Sequence, residues 1–316
     1  MAKLAEEVLL RVGPALKTSY FDEDVHTEWK KIAVALENGE GLEQAINSES
    51  LPDQLGELIA LHASECVRED EVVAIEAMVH DNEPGVFARM AAHLARVDSR
   101  ASIITTNYDR LIEVDLALAG VGVDSMFSGH PIGRLDEESA YQEHEYLEWS
   151  TGPRRRQKRA VRPHVQLSKP HGSLDWFTSE NGGIIRTDLP FQGSRKVVAP
   201  GGSKYRLGYE SPFDVHRERA NRAIDRATSL LVVGYGFNDD HLQTHLKPIF
   251  ASVPSVMVSY SLTDNARAFL STNPDAVGIE RGQTDDCSVV VCQKREIIVD
   301  RGIWQLDVLL REALQI

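Results

Sequence analysis

The chain has 316 residues, 42% hydrophobic and 26% charged, which places it among ordinary soluble globular proteins of one large or two modest domains. Its 48 acidic and 34 basic residues leave a formal charge of −14, and so acidic a surface repels phosphate backbones, so direct nucleic-acid binding is not expected. Three cysteines, Cys66, Cys287 and Cys292, stand in no C-x-x-C pair, which argues against a structural zinc or redox dithiol and for a reducing, cytoplasmic setting.

Met1-Ala2-Lys3 leads into an amphipathic stretch, Leu4 to Val12, rather than the apolar core of a signal peptide, and no run approaches the roughly 18 apolar residues of a membrane span. Neither export nor a membrane anchor is expected. Helical spacing links Leu4, Val8, Leu9 and Val12, then Trp29, Ile32, Ala33 and Leu36, then Leu55, Leu58, Ile59 and Leu61. Gly39 and Gly41 break the second run, and Pro52 sits where a first helical turn tolerates it. A further helix is predicted over Val86 to Val97, with Phe87, Met90, Ala91 and Leu94 on one face. Residues 1–97 therefore read as a helical segment without strands, packed on or inserted into a second domain, 98–316.

Beyond residue 97 the pattern changes to short apolar runs separated by helical stretches. Strands are predicted at Ser102 to Thr105, Val165 to Ser168, Ser229 to Val233, Val256 to Ser259 and Ser288 to Cys292. Helices are predicted at Asp109 to Ala119, His216 to Ala227, Asp240 to Phe250, Asn265 to Leu270 and Ile303 to Ala313. Continuous apolar runs suit strands covered on both faces, so the fold class is α/β, a doubly wound parallel sheet flanked by helices. Between Asp136 and Arg162 the chain is charged and irregular around Arg154-Arg155-Arg156-Gln157-Lys158-Arg159, which reads as a solvated surface loop. Glycines at 182, 183, 193, 201 and 202 mark another loop-rich region.

Ligands of open parallel sheets collect at the carboxyl ends of the strands. Three strands run into polar clusters there: Thr105-Thr106-Asn107-Tyr108-Asp109, Lys169-Pro170-His171-Gly172-Ser173-Leu174-Asp175-Trp176, and Gly234-Tyr235-Gly236-Phe237-Asn238-Asp239-Asp240. Gly234 and Gly236 allow close backbone approach, and Asn238, Asp239 and Asp240 can cap the following helix. His171 is the natural general base near neutral pH, and Asn107 offers a neutral amide that positions a hydroxyl or a water. Taken singly, each is weak: Asn-Tyr-Asp after a strand is often a helix cap, and a lone histidine is often structural. Their order, each at a strand end, gives them weight.

That ordered triple resembles the sirtuin-like branch found in bacterial anti-phage effectors over about residues 100–260, and Val198 to Tyr205 also fits it. The resemblance implies a Rossmann-like fold with NAD+ as substrate, an NAD+ hydrolase that cleaves the nicotinamide–ribose bond, and a role in depleting NAD+ during anti-phage defence. It further implies that Asn107 positions water and ribose, His171 is the catalytic histidine and Asp109 supports them. Thr105 and Thr106 would flank the ribose. Gly234, Tyr235, Gly236, Phe237 and Asn238 would line the ribose and adenine side, with Ser261 and Leu262 near the adenine. Homo-oligomers, at times joined to a helicase-type ATPase, are the implied assembly. The paired zinc cysteines of deacylating sirtuins are missing, so no metal and no lysine deacylation are expected. The family also opens with a strand and a Gly-x-Gly turn for the pyrophosphate, whereas this sequence starts in what resembles the following helix; the expectation is that such a strand lies upstream of Met1.

Two other readings compete. Asp239, Asp240, His241 and His245 could form a metal-dependent hydrolase, although His241-Leu242-Gln243-Thr244-His245 lacks the glutamate of a zincin motif. Alternatively the chain is a catalytically weak NAD-sensing or assembly subunit.

Overall fold

The computed structural model describes residues 2–18, 20–46, 51–81, 83–98, 100–150, 155–191, 193–198, 210–237, 239–293 and 295–315. Arg154, Asn238 and the stretch from 199 to 205 singled out above lie outside them. The chain divides into two compact units, Met1–Arg217 and Glu218–Ile316.

Apolar periodicity builds the start of the first unit. Helices α1 (Ala2–Thr18), α2 (Glu23–Glu37), α3 (Leu42–Ala45) and α4 (Asp53–Asp81) bury Val8, Val12 and Leu16, then Val25, Trp29, Ile32 and Leu36, then Leu42, then Leu55, Ile59 and Ala63 in one core. Each large side chain buried there contributes about 1.5–3 kcal/mol. Leu61 falls off the buried face of α4 and is exposed. Gly39, at φ +86°, lets the chain turn after α2. Ion pairs Lys3 to Asp70 (2.8 Å) and Arg11 to Glu69 (2.7 Å) tie α1 to α4 at the surface.

Helix α5 (Val86–Asp98) leads into β1 (Arg100–Ile104). Its buried residues are Ala88, Met90, Ala91 and Ala95; of the face read from the sequence, Met90 and Ala91 are buried, Phe87 is half-buried and Leu94 is exposed, because small alanines let the helix sit close to the sheet. Helix α6 (Leu111–Leu118) follows, then β2 (Gly122–Asp124) and, later, β7 (His164–Ser168), giving a parallel sheet in the order β1-β7-β2. Ala88, Ala91, Leu116 and Val165 form its core. Asp115 of α6 is buried and accepts hydrogen bonds from the N–H groups of Gly85 and, at 2.9 Å, Ala88, so it satisfies the first turn of α5.

The described residues of the segment read as a loop, 136–150 and 155–162, carry regular structure instead. They form α7 (Glu137–Gln142) and a two-stranded antiparallel ribbon of β5 (Glu145–Trp149) and β6 (Gln157–Val161), whose charges pair across the strands: Lys158 meets Glu148 and Arg159 meets Glu145, both at 3.2 Å. Cross-strand pairing gives a charged stretch a β structure that apolar periodicity does not reveal. A second sheet, absent from the sequence reading, is antiparallel: β10 (Ser194–Val197), β8 (Gly172–Thr178), β9 (Ile184–Thr187), β4 (Ile132–Leu135) and β3 (Phe127–Ser128), in that order. The cluster after β7 thus continues directly into β8.

Helix α8 (Phe213–Asp225) spans the boundary between the units. The second unit holds one five-stranded sheet, in order β11 (Leu230–Val233), β12 (Ser255–Ser259), β13 (Ala276–Arg281), β14 (Ser288–Cys292) and β15 (Arg295–Val299). The first three strands are parallel and the last two antiparallel. Between and after them come α9 (Asp240–Phe250), α10 (Asp264–Leu270) and α11 (Leu306–Leu314). The strand–helix alternation predicted for residues 229–270 is therefore present, and the overall class is the expected mixed α/β with a mostly helical amino-terminal region. No described helix is long and apolar enough to cross a membrane.

Candidate functional site

The first group of candidate residues sits at the carboxyl ends of two adjacent strands. β1 and β7 pair in parallel register, with Ile104 opposite Ser168, and the chain leaves both strands on the same side. Asn107 lies three residues beyond Ile104 and His171 three beyond Ser168, so the topology brings the two loops together. The N–H of Thr105 donates to the Ser168 carbonyl (3.0 Å), extending the pairing one step into the loop.

Local chemistry shapes each loop. The N–H of Asn107 donates to the Thr105 hydroxyl (3.1 Å), a tight side-chain turn that leaves the Asn107 side chain exposed. Asp109 accepts from the N–H of Leu111 (3.2 Å), so its carboxylate caps α6. Thr106 is half-buried beside them. On the other loop, the Gly172 N–H donates to the Lys169 carbonyl (3.0 Å), closing a β-turn with Pro170 in second place, half-buried His171 in third and Gly172 in fourth. Proline and glycine are favoured at those places. Gly172 adopts φ +90°, and a Cβ there would lie 2.1 Å from the Lys196 carbonyl oxygen.

The two loops are strapped to one another. The Leu174 N–H donates to the Tyr108 carbonyl (3.0 Å). The Tyr108 hydroxyl donates to the Val198 carbonyl, and the Val198 N–H donates in turn to the His171 carbonyl (2.9 Å). Burial pushes the Tyr108 phenol pKa well above its usual range.

Beneath the loops is a charge network that the sequence did not announce. The side chain of Lys169 is buried, and its ammonium donates to the carbonyls of Tyr108 (3.4 Å) and Asp109 (2.5 Å), to Glu113 Oε1 (2.8 Å) and to the Ser173 hydroxyl (3.2 Å). Burial raises the Glu113 pKa, an effect that Lys169 opposes. Glu71 of α4, also buried, accepts from the Arg110 N–H (2.6 Å) and from its guanidinium (2.7 Å). Arg110 follows Asp109 directly, so α4 anchors the far end of the Asn107 loop. Ser173 aside, these partners are 39 to 61 positions apart in sequence, a separation no local pattern can signal. The only available sign was a lysine set among residues otherwise reading as buried strand and turn.

In this arrangement an exposed carboxamide and a half-buried imidazole occupy neighbouring loops held by main-chain bonds. Such a pair can orient a hydroxyl or water and accept its proton.

The second group belongs to the second unit. β11 ends at Val233, opposite Val258 of β12, and the Gly234 N–H donates to the Val258 carbonyl (2.8 Å). Gly234 is exposed at φ +62°, with open space where a Cβ would stand, so its backbone is accessible to a ligand. The Thr263 hydroxyl donates to the Gly236 carbonyl (2.8 Å), which brings this turn beside Ser261 and Leu262 at the end of β12. Ser261 is exposed, whereas Leu262 is buried and its N–H donates to Glu280 (2.8 Å). Phe237, at φ +56°, is wholly buried, with its ring 4.4 Å from that of Phe269 and 4.9 Å from that of Tyr235. It shapes the turn as a core residue. Its carbonyl accepts from Asn265 (3.1 Å), which fixes the turn from below. Asp239 accepts from the Leu242 N–H (3.4 Å) and caps α9, as its position predicts. His245, the second histidine of the metal reading, pairs with Asp225 (2.9 Å).

Comparison with known proteins identifies residues 101–269, just over half of the chain, as a match to the family model described as "SIR2-like domain". No curated protein matches the chain.

Proposed function

The chain belongs to the SIR2-like family, and from that premise we propose that it is an NAD+ hydrolase that breaks the bond between nicotinamide and ribose. SIR2-like domains bind NAD+, and the observation that carries the finer reading is the placement of Asn107 and His171 on neighbouring loops, each three residues past one register pair of β1 and β7.

In the proposed reaction NAD+ and water give nicotinamide, ADP-ribose and a proton. As nicotinamide departs with the bonding electron pair, positive charge develops on the ribose. The Asn107 carboxamide orients the attacking water or a ribose hydroxyl, and the His171 imidazole accepts the proton released, a contribution of about 10²–10⁴ in rate for positioned general bases. Thr105 and Asp109 hold the Asn107 loop in shape through the N–H groups of Asn107 and Leu111, and Thr105 and Thr106 are assigned to NAD+. Gly234, Tyr235, Gly236 and Asn238, with Ser261, are assigned to the ribose and adenine, an assignment supported by the open, left-handed Gly234 backbone; the buried Phe237 and Leu262 shape these turns from the core instead of lining the ligand. We further assign the protein to bacterial anti-phage defence through NAD+ depletion, working as a homo-oligomer with a helicase-type ATPase as partner.

The experiment compares nicotinamide release by the wild type, Asn107→Ala and His171→Ala, with NAD+ binding measured by calorimetry in parallel. The reading expects release by the wild type and loss in both variants with the fold intact. Wild-type turnover in either variant refutes the roles of Asn107 and His171, and binding without release by the wild type identifies an NAD-sensing subunit instead.

A further inference from the structure

We propose that Lys169 is the positioning residue of this site: its buried ammonium, bonded to the carbonyls of Tyr108 and Asp109, to Glu113 and to Ser173, fixes the Asn107 loop against the turn that carries His171. The catalytic consequence rests on the NAD+ hydrolase reading; the structural claim does not.

A buried ammonium is costly to desolvate, and replacing a buried ion pair by apolar side chains of similar volume is often neutral or stabilising. Stability is therefore a poor account of a lysine here. Glu113 makes the point sharper, because its Oε2 is buried without a hydrogen-bond partner among the described residues. What the ammonium does is reach both halves of the site at once, from inside, adding to the Leu174 bond that straps them at the main chain. Two of its acceptors are main-chain oxygens of the loop that bears Asn107 and Asp109. Another, Ser173, follows the His171 turn, and Lys169 itself opens that turn through the Gly172 bond to its carbonyl (3.0 Å). An apolar side chain fills the same space but leaves the carbonyls of Tyr108 and Asp109 without the ammonium that orients them. Displacements of about 1 Å in such a site cost on the order of 10²-fold in rate.

The test is the double variant Lys169→Met/Glu113→Leu, which removes the pair together and leaves no charge unpaired, read by two independent measurements on the full chain. Hydrogen exchange should accelerate about tenfold or more at amides 105–110 and stay unchanged in α1 to α3. Nicotinamide release should show kcat lowered by about 10²-fold, with KM for NAD+ changed by far less, at a temperature well below the melting transition. The exposed Lys3→Ala variant is the control and should match the wild type in both. Unchanged exchange at 105–110 overturns the proposal whatever the activity. A wild-type protein that releases no nicotinamide overturns the hydrolase reading, and the exchange measurement still decides on Lys169. Accelerated exchange with unchanged kcat confines Lys169 to structure and overturns its positioning role. If the double variant does not fold, Lys169→Arg replaces it: a planar guanidinium cannot serve this set of acceptors, so exchange should rise and kcat fall, and wild-type values in both refute the proposal.

Discussion

Substituting Gly172 by alanine probes the turn that presents His171 more directly than substituting the histidine itself. The backbone there is at φ +90°, where an L-residue pays about 1–2 kcal/mol. The new methyl would also stand 2.1 Å from the Lys196 carbonyl oxygen and 2.9 Å from the Phe213 ring, neither of which is a flexible side-chain end. Overpacking of this kind costs about 1–3 kcal/mol, so the two effects together give about 2–5 kcal/mol. For a folding unit of this size each kcal/mol lowers Tm by about 2–4 °C, so the fall should lie between about 4 and 20 °C. Gly182→Ala is the matched comparison, since Gly182 sits at φ +76° with nothing near its Cβ position and loses only the conformational part. Thermal melting of the two variants against wild type separates sterics from backbone strain. Equal losses in the two, or a Gly172→Ala protein melting with the wild type, would refute the packing argument.

Other outcomes follow from the same structure. Asp115→Ala leaves the amides of Gly85 and Ala88 without their buried acceptor and should cost about 1–3 kcal/mol in chemical denaturation; a loss below about 0.5 kcal/mol would contradict its capping role. His144 lies in a stack with His164, ring centroids 4.4 Å apart, and burial followed by the charge of that neighbour lowers its pKa. A lowered histidine pKa means that the unfolded chain binds more protons, so stability should be full above about pH 6.5 and fall as the pH drops from there toward the folded-state value. His144→Gln should flatten that slope, and an unchanged pH profile would count against the assignment. Burial also raises the Cys66 thiol pKa, so a thiol reagent near neutral pH should modify Cys66 more slowly than the half-buried Cys287 and Cys292; mass mapping that finds Cys66 first would disprove it.

Much of the fold was legible because it is written in local periodicity. Val8, Val12, Trp29, Ile32, Leu55 and Ile59 repeat at helical spacing and are buried as read. The runs at 230–233 and 255–259 were readable as strands because apolar residues follow one another, Leu-Leu-Val-Val in the first and Val-Met-Val at the centre of the second. The antiparallel sheet escaped notice since β8 is Gly-Ser-Leu-Asp-Trp-Phe-Thr, with serine and aspartate inside it, and its burial does not alternate. The ribbon of β5 and β6 escaped for a related reason: its strands are rich in charged residues that meet across the pair, which look like loop composition in one dimension. At the site, Asn107 and His171 were readable from their places after strands. Lys169, Glu113, Glu71 and Arg110 were not, because their meaning lies in contacts made across long stretches of chain.

The central claim is chemical, and one measurement addresses it. The purified full chain is incubated with NAD+ in water enriched in heavy oxygen, and the products are separated and weighed by mass spectrometry. The account predicts nicotinamide and ADP-ribose in equal amounts, the heavy oxygen on the ADP-ribose, and none of either product from His171→Ala. NAD+ recovered intact, or cleaved at the pyrophosphate instead, would contradict it.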